Sequence, residues 1–264
     1  MSELAPQIIT LTLLSGAIVG LSLGAFGGGG SVLAAPLLLF VVGVDDPHVA
    51  IGTSAAAVTA IAFLSLFGHW RGNRVKWPCA IVFAVSGFAG SLVGSSLAKV
   101  TQDDVLLLSF AAAMAMIGIS MFRKPMNAGN SDVTLTPSLV LRLAPMGLLV
   151  GTASGFFGIG GGFLIVPGLM LASGMTIANA TASSLVSVTI FGATTSVNYA
   201  ISGLVDGRLT LLLLAGGGVG GIVGIRLSKW LAGRPRTARI VLAIIILAAS
   251  VFVAMQAGRN LWHT

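Results

Sequence analysis

Charge is what this chain has least of. Only 8% of its 264 residues are Asp, Glu, Lys or Arg, against roughly a quarter in an ordinary soluble protein. With 56% hydrophobic residues and a mean hydropathy of +1.02, a soluble domain is excluded. Cys79 is the single cysteine, which excludes an intrachain disulfide and a cysteine-based metal cluster. His48, His69 and His263 are too dispersed for a zinc site, and the 7 acidic residues form no buried pair suited to acid–base chemistry or proton pumping. No compact set of nucleophile, base and metal ligands exists, so the expectation is a non-enzyme without a cofactor. The short alternating segments of a spanning β-barrel are missing too. So is a basic n-region with a small-residue cleavage site, and the first apolar segment is expected to be retained.

What is present is apolar length. Uncharged stretches run at about 8–43, 49–68, 78–98, 104–122, 139–173, 177–200, 209–230 and 239–257, and a helix needs about 20 such residues to cross a bilayer. The fold class is all-α: a polytopic membrane protein in contact with lipid throughout. Trp70, Trp77 and Trp230 flank the segments near basic residues, as interfacial aromatics do. The net charge of +7 sits in short loops and makes no folded basic face, so it reads as membrane orientation and not as nucleic-acid binding.

The chain also repeats itself. GLSLGAFGGGGSVLAAP (20–36) and GTASGFFGIGGGFLIVP (151–167) align glycines, a phenylalanine and the closing proline at an offset of 131. The match continues from AIGTS (50–54) to ATASS (180–184), and from Gly90, Gly94, Leu97 and Lys99 to Gly220, Gly224, Leu227 and Lys229, at an offset of 130. Two homologous four-segment repeats are expected, 1–122 and 139–264, joined by a polar connector at 123–138. Duplicated halves that interrupt a hydrophobic segment at the same place are the sequence trace of a secondary transporter.

The first segment of each half is too long for one crossing. It either crosses once as a broken, tilted helix or returns around its glycines. Basic residues arbitrate. Single crossings split the 14 Lys and Arg 8 to 6. Returning segments place Arg71, Arg74, Lys76, Arg123, Lys124, Arg142, Arg226, Lys229, Arg234, Arg236 and Arg239 together, 11 of the 14. The second split obeys the positive-inside rule, makes the repeats inverted and puts both termini outside.

Adjacent glycines inside a bilayer must face protein or a wet cavity, because unpaired backbone groups cannot face lipid. A helix restarting at about 30–32 and at about 161–163 offers free N–H groups and a positive dipole end to an anion. Two such ends meeting near the midplane would form one pseudo-symmetric site. The candidate binding residues are therefore Gly27, Gly28, Gly29, Gly30 and Ser31 in the first copy and Gly158, Gly160, Gly161 and Gly162 in the second. Thr53, Ser54, Asn179, Thr181, Ser183, Ser184 and Asn198 are hydroxyl and amide candidates, with Ser187, Thr194 and Thr195 farther along. Arg226 is a candidate cation near a segment end. The competing reading is packing: small residues let helices approach, and Ser or Thr often bonds a carbonyl one turn back. Glycine-rich faces also leave a homodimer open.

At its glycine motifs the chain resembles the TauE/SafE family of sulfite and sulfonate exporters. The resemblance covers essentially the whole chain. It implies a multi-pass protein of the bacterial inner membrane that exports a small organic or inorganic anion such as sulfite or sulfoacetate. Import of such anions or of carboxylates, or an anion channel, is the alternative. The resemblance falls on Gly27–Gly30, Pro36, Gly158–Gly162 and Pro167. Gly162 stands where the first copy has Ser31, so the two sites need not be chemically equal.

Overall fold

Proline starts four of the spanning helices, at a first turn where its missing N–H leaves no bond unmade. Asp46, Thr136, Thr176 and Asp206 accept from backbone N–H groups of the turns that follow them. The computed structural model describes residues 5–120, 129–130, 133–158, 162–232 and 234–261. Within them the chain forms α1 (Pro6–Phe26), a 3-10 turn (Gly27–Leu33), α2 (Ala34–Leu37) running on as a π turn (Leu38–Val42), α3 (Pro47–Trp70), α4 (Trp77–Lys99) and α5 (Asp103–Ser120). After the connector come α6 (Pro137–Phe157), α7 (Gly162–Ser173), α8 (Ile177–Ile201), α9 (Gly207–Ala232) and α10 (Pro235–Leu261). Seven of these, α1, α3, α4, α5, α6, α8 and α9, are long and apolar enough to cross a membrane, and α10 carries the apolar stretch Ile240–Met255. The protein is an all-α, multi-pass membrane protein. Its outward faces carry exposed residues such as Leu14, Phe63, Val85, Leu149 and Ile222, the surface that lipid covers.

Glycine seams hold the helices together. α1 lies on α9, where Gly16, Gly20 and Gly24 meet the backbone of Leu213, Gly217 and Gly221. α4 lies on α6, where Gly147, Gly151 and Gly155 meet Phe83, Gly87 and Ser91. Residue numbers rise together along both pairs, so each is parallel. Lipid supplies no hydrophobic push between helices, and backbone contact of this closeness is the substitute. These glycine faces are used within one chain, so they give no reason for a homodimer.

The remaining contacts set the other directions. α3 runs parallel to α9, with Ile61 on Gly217 and Gly68 on Ile225, and antiparallel to α8, with Gly52 on Tyr199 and Gly192 on Thr59. α5 and α10 are antiparallel: Gly118 faces Leu247, and Ser250 Oγ donates to Ala111 O over 2.9 Å. Since α1 and α3 both run with α9, the short segment between them returns. It does so through the 3-10 turn, α2 and the π turn, and α7 is its partner in the other half. Of the two geometries left open by the sequence, the returning one is observed, but α1 and α6 are each long enough to cross on their own.

Charge separates along the bundle. Asp45, Asp46, Asp103, Asp104 and Asp206 lie where α3, α5 and α9 begin, tied together by His48 Nδ1 to Asp103 Oδ1 at 3.0 Å and by the Asp206 N–H to Thr53 Oγ1 at 2.9 Å. Arg71, Arg74, Lys76, Arg142, Lys229 and Arg234 lie at the other end, where α4, α6, α8 and α10 begin. There Phe67, Trp70 and Trp77 stack edge to face, and Arg71 and Arg234 sit over Phe67 and Trp230 at 5.0 and 4.3 Å.

Candidate functional site

Both glycine breaks open on a residue with positive φ. Gly27 has φ 62° and ψ −140°, and Gly158 has φ 65° and ψ 5°. A side chain at either position meets a neighbour as well as backbone strain: the Thr181 carbonyl at Gly27 and the Ile51 side chain at Gly158. Thr181 and Ile51 are each the fifth residue of their helices, α8 and α3, which run antiparallel. Gly27 and Gly158 therefore lie toward opposite ends of that pair, roughly 28 Å apart at about 1.5 Å per residue, because α1 and α6 use 21 residues each before the glycines. The restarts expected at about 30–32 and 161–163 lie beyond these two glycines, and the 3-10 turn (Gly27–Leu33) packs against α7 (Gly162–Ser173).

The first break is held by hydroxyls. The Gly28 N–H donates to Ser184 Oγ at 3.0 Å, Ser184 Oγ donates to Thr181 O at 2.8 Å, and Ser31 Oγ donates to Gly28 O at 2.8 Å. Gly29 and Gly30 lie in the 3-10 turn, which replaces the new α-helix start expected there. In the second copy α7 starts at Gly162, as expected. Gly160 and Gly161 lie outside the described residues.

The other sequence candidates divide. Thr53 and Ser183 each accept the N–H that opens the next pair of helices: Asp206 N to Thr53 Oγ1 and Lys76 N to Ser183 Oγ, both 2.9 Å. Ser54 Oγ donates to Ile51 O at 3.0 Å. Asn179 N bonds the capping Thr176 Oγ1 at 3.4 Å. Asn198 clamps α8 to α4: its amide donates to Ser95 and Ser96 Oγ at 2.7 and 3.1 Å, and its oxygen accepts from Lys99 Nζ at 2.8 Å. Arg226 is exposed and lines neither of the clefts described next. Asn198→Ala is expected to destabilise the fold by about 1–3 kcal/mol, the cost of breaking a part-buried polar network, with substrate KM unchanged. A thermal-melt comparison beside a flux titration checks both halves of that expectation.

A polar stripe runs along α8. Thr181, Ser184, Ser187, Thr195 and Tyr199 fall within an arc of about 120° at about 100° per residue, and all are buried. Ser187 Oγ, Thr195 Oγ1 and Tyr199 Oη have no hydrogen-bond partner among the described residues, nor have Ser15 and Ser154 Oγ on α1 and α6. Each such hydroxyl costs about 1–3 kcal/mol. A set of them in one bundle calls for a partner from outside the chain.

A cleft opens at either end of this stripe. At the basic end a partly open cleft of about 30 Å3 is lined by Ala25, Phe26, Arg74, Val166, Ile177, Ala178, Thr181, Ser228, Leu231 and Leu242. At the acidic end a smaller cleft of about 10 Å3 is lined by Ala35, Pro36, Leu39, Phe40, Ile51, Leu106, Leu107, Phe110, Phe157 and Val253. Phe26 answers Phe157, Val166 answers Ala35 and Thr181 answers Ile51 at the repeat offsets, so the two are counterparts with different chemistry. Tyr199, Arg74 and Ser228 were not singled out from the sequence as ligand contacts. Arg74 reads there as one more loop cation and Ser228 as one more helix hydroxyl. The only available signal was that their counterparts, Leu204 and Ala98, are apolar.

Spanning helices that stop at glycines and return through short helices, joined by backbone-close seams, make this a polytopic protein of the membrane-transporter class. The family described as "Sulfite exporter TauE/SafE" matches residues 12–253, and the chain belongs to it. A "Probable membrane transporter protein" of Xylella fastidiosa (strain 9a5c) is 42% identical over 257 residues, covering 97% of this chain and 98% of that protein. The "Probable membrane transporter protein YunE" of Bacillus subtilis (strain 168) is 26% identical over 261 residues, covering 91% and 93%. Among the described residues no three His, Cys, Asp or Glu side chains gather as metal ligands.

Proposed function

We propose that the protein is a secondary transporter that exports small sulfur-containing anions, sulfite, sulfoacetate or a related sulfonate, by alternating access of two inverted halves. The family description supports the substrate class. The halves are residues 1–122 and 139–264, with 123–138 as connector. The directions of their helices support the inversion: α1, α3 and α5 run against their counterparts α6, α8 and α10, and α4 runs against α9. The basic end is cytoplasmic by the positive-inside rule, which puts both termini outside the bacterial inner membrane.

The observation that carries this reading is the α8 stripe. Neutral hydroxyls replace the hydration of a moving anion without burying a fixed charge, which a bilayer interior penalises. Unpartnered, they are ready to do so. The stripe begins at the glycine break, where Gly28 N–H already meets Ser184, and it ends at Tyr199 near the acidic end. Rocking the halves about α3 and α8 would expose it to one side at a time. An inside-negative potential drives an anion outward by about 2.3 kcal/mol per charge per 100 mV, so export needs no coupling ion.

Removing an unpartnered hydroxyl relieves the fold and harms the path, so stability and transport should part company. Ser187→Ala and Thr195→Val are expected to melt at or slightly above the wild-type temperature while sulfite flux in proteoliposomes falls about fivefold or more, the loss of one hydrogen bond of about 1 kcal/mol to a charged ligand. Unchanged flux in both variants would remove the stripe from the transport path.

A further inference from the structure

We propose that the cleft at the basic end is a loading site for a small oxyanion, with the Arg74 guanidinium as its cation and the Thr181 and Ser228 hydroxyls as its donors. The inference rests on the anion-export reading and names where export would begin.

Three independent observations converge there. First, Arg74 is half-buried in the cleft wall and makes no ion pair among the described residues. Every described carboxylate lies at the opposite end of the bundle, well beyond a Debye length of about 8–10 Å. Its field in the cleft is therefore uncompensated by any described carboxylate, and a guanidinium presents a planar fork that matches two oxygens of one anion. Second, Thr181 and Ser228 are 9% and 7% exposed, line the same cleft, and make no side-chain hydrogen bond among the described residues. Buried hydroxyls facing a cavity without partners are donors in want of an acceptor. Third, Ile177 and Ala178, from the first turn of the 25-residue α8, complete the wall, and a helix start adds positive potential.

The repeat supplies an internal comparison. If the cleft were a packing defect inherited from the duplication, both ends would share its chemistry. They do not: Arg74, Thr181 and Ser228 have Leu204, Ile51 and Ala98 as counterparts. Ile51 and Ala98 are buried in the apolar core with Phe110, and Leu204 and Phe157 pack against it. All three polar changes fall at one end, the basic one. An anion gathered there by the surrounding Lys and Arg residues meets, through Thr181, the first residue of the α8 stripe.

The test is calorimetric titration of sulfite, and separately of inorganic phosphate, into the full chain in phosphatidylcholine nanodiscs. Arg74→Ala is expected to weaken sulfite at least about tenfold and Arg74→Lys only a few fold, since the charge is kept and the fork lost. Thr181→Val and Ser228→Ala should each weaken it about threefold or more. Arg71→Ala, whose guanidinium lies over Phe67 outside the cleft, should bind as wild type does. Saturable sulfite binding that ignores Arg74, Thr181 and Ser228 would overturn the loading site and leave the export reading standing. Arg74-dependent binding of phosphate without sulfite would keep an oxyanion site and overturn the sulfur-anion reading. No response to either anion overturns both. Loss of sulfite binding when phosphatidylglycerol replaces phosphatidylcholine would mean that a lipid headgroup fills the cleft, and would also overturn the proposal.

Discussion

Gly27→Ala is expected to yield no folded, monodisperse protein and no transport. The backbone there, at φ 62° and ψ −140°, lies in a region open essentially to glycine, and holding an L-residue in it costs about 1–3 kcal/mol. The added methyl would also run into the Thr181 carbonyl and lie 2.8 Å from Thr181 Cγ2. Neither yields, because Thr181 O is part of the α8 backbone and already accepts from Ser184. Overpacking adds about 1–3 kcal/mol, and the two together approach the entire stability of many proteins. Gly43→Ala separates the causes. Gly43 has φ 83° but nothing within 4 Å of its would-be side chain, so it should bear strain alone and still give a folded peak in size-exclusion chromatography. Equal behaviour of the two variants would mean that contact with Thr181 does not matter.

Gly20→Leu is expected to be as damaging by another route. Gly20 rests on the carbonyl of Gly217, and α1 and α9 approach along the whole seam through Gly16, Gly20 and Gly24. A leucine side chain there forces two backbones apart by several ångströms. In lipid no hydrophobic gain pulls them back together, since the separated surfaces meet acyl chains as apolar as themselves. The dispersion and close-packing terms of the seam are lost along its length. Gly218→Leu, the last of the three consecutive glycines in α9 and free of neighbours within 4 Å, should be tolerated. The comparison is read by fluorescence-detected size exclusion after mild heating. A Gly20→Leu protein as heat-resistant as Gly218→Leu would contradict the seam.

Much of the fold is legible in the amino-acid order because membranes impose few solutions. Apolar lengths give the helices, and the recurrence of glycines and prolines at offsets of 131 and 130 suggests two halves. The return at Gly27 and Gly158 was also accessible, through the placement of basic residues. The level of those breaks was not. It depends on where α1 and α6 begin in the bundle, and hydropathy counts residues without fixing their depth. Side-chain roles were harder still. Thr53 and Ser183 read as ligand candidates, yet their oxygens close the backbone N–H groups of Asp206 and Lys76, partners more than 100 residues away that no local pattern announces. Asn198 reads the same way and is fully engaged with Ser95, Ser96 and Lys99. Arg74 shows the reverse. Nothing in RGNRVKW separates it from Arg71, and only the fold seats the Arg71 guanidinium over Phe67 and makes Arg74 part of a cleft wall.

The two ends of the bundle also bear on direction. The basic end holds an open cleft with a cation and hydroxyls, whereas the acidic end is filled by Phe40, Phe110, Phe157 and Phe252, in ring contact as the pairs Phe40–Phe252 and Phe110–Phe157 at 5.3 and 5.6 Å. An anion entering from the basic side finds partners at once; one arriving from the other side meets rings. That asymmetry favours loading from the basic end in the conformation described.

The central claim is that a small sulfur anion leaves the cell through this chain under the membrane potential alone. The most direct measurement is efflux of radiolabelled sulfite from proteoliposomes under imposed potassium diffusion potentials, at matched internal and external pH. The account predicts saturable, protein-dependent efflux that rises as the interior is made more negative and falls in the Ser187→Ala and Thr195→Val proteins. Efflux indifferent to potential, or no protein-dependent efflux of sulfite from a well-folded preparation, would contradict it.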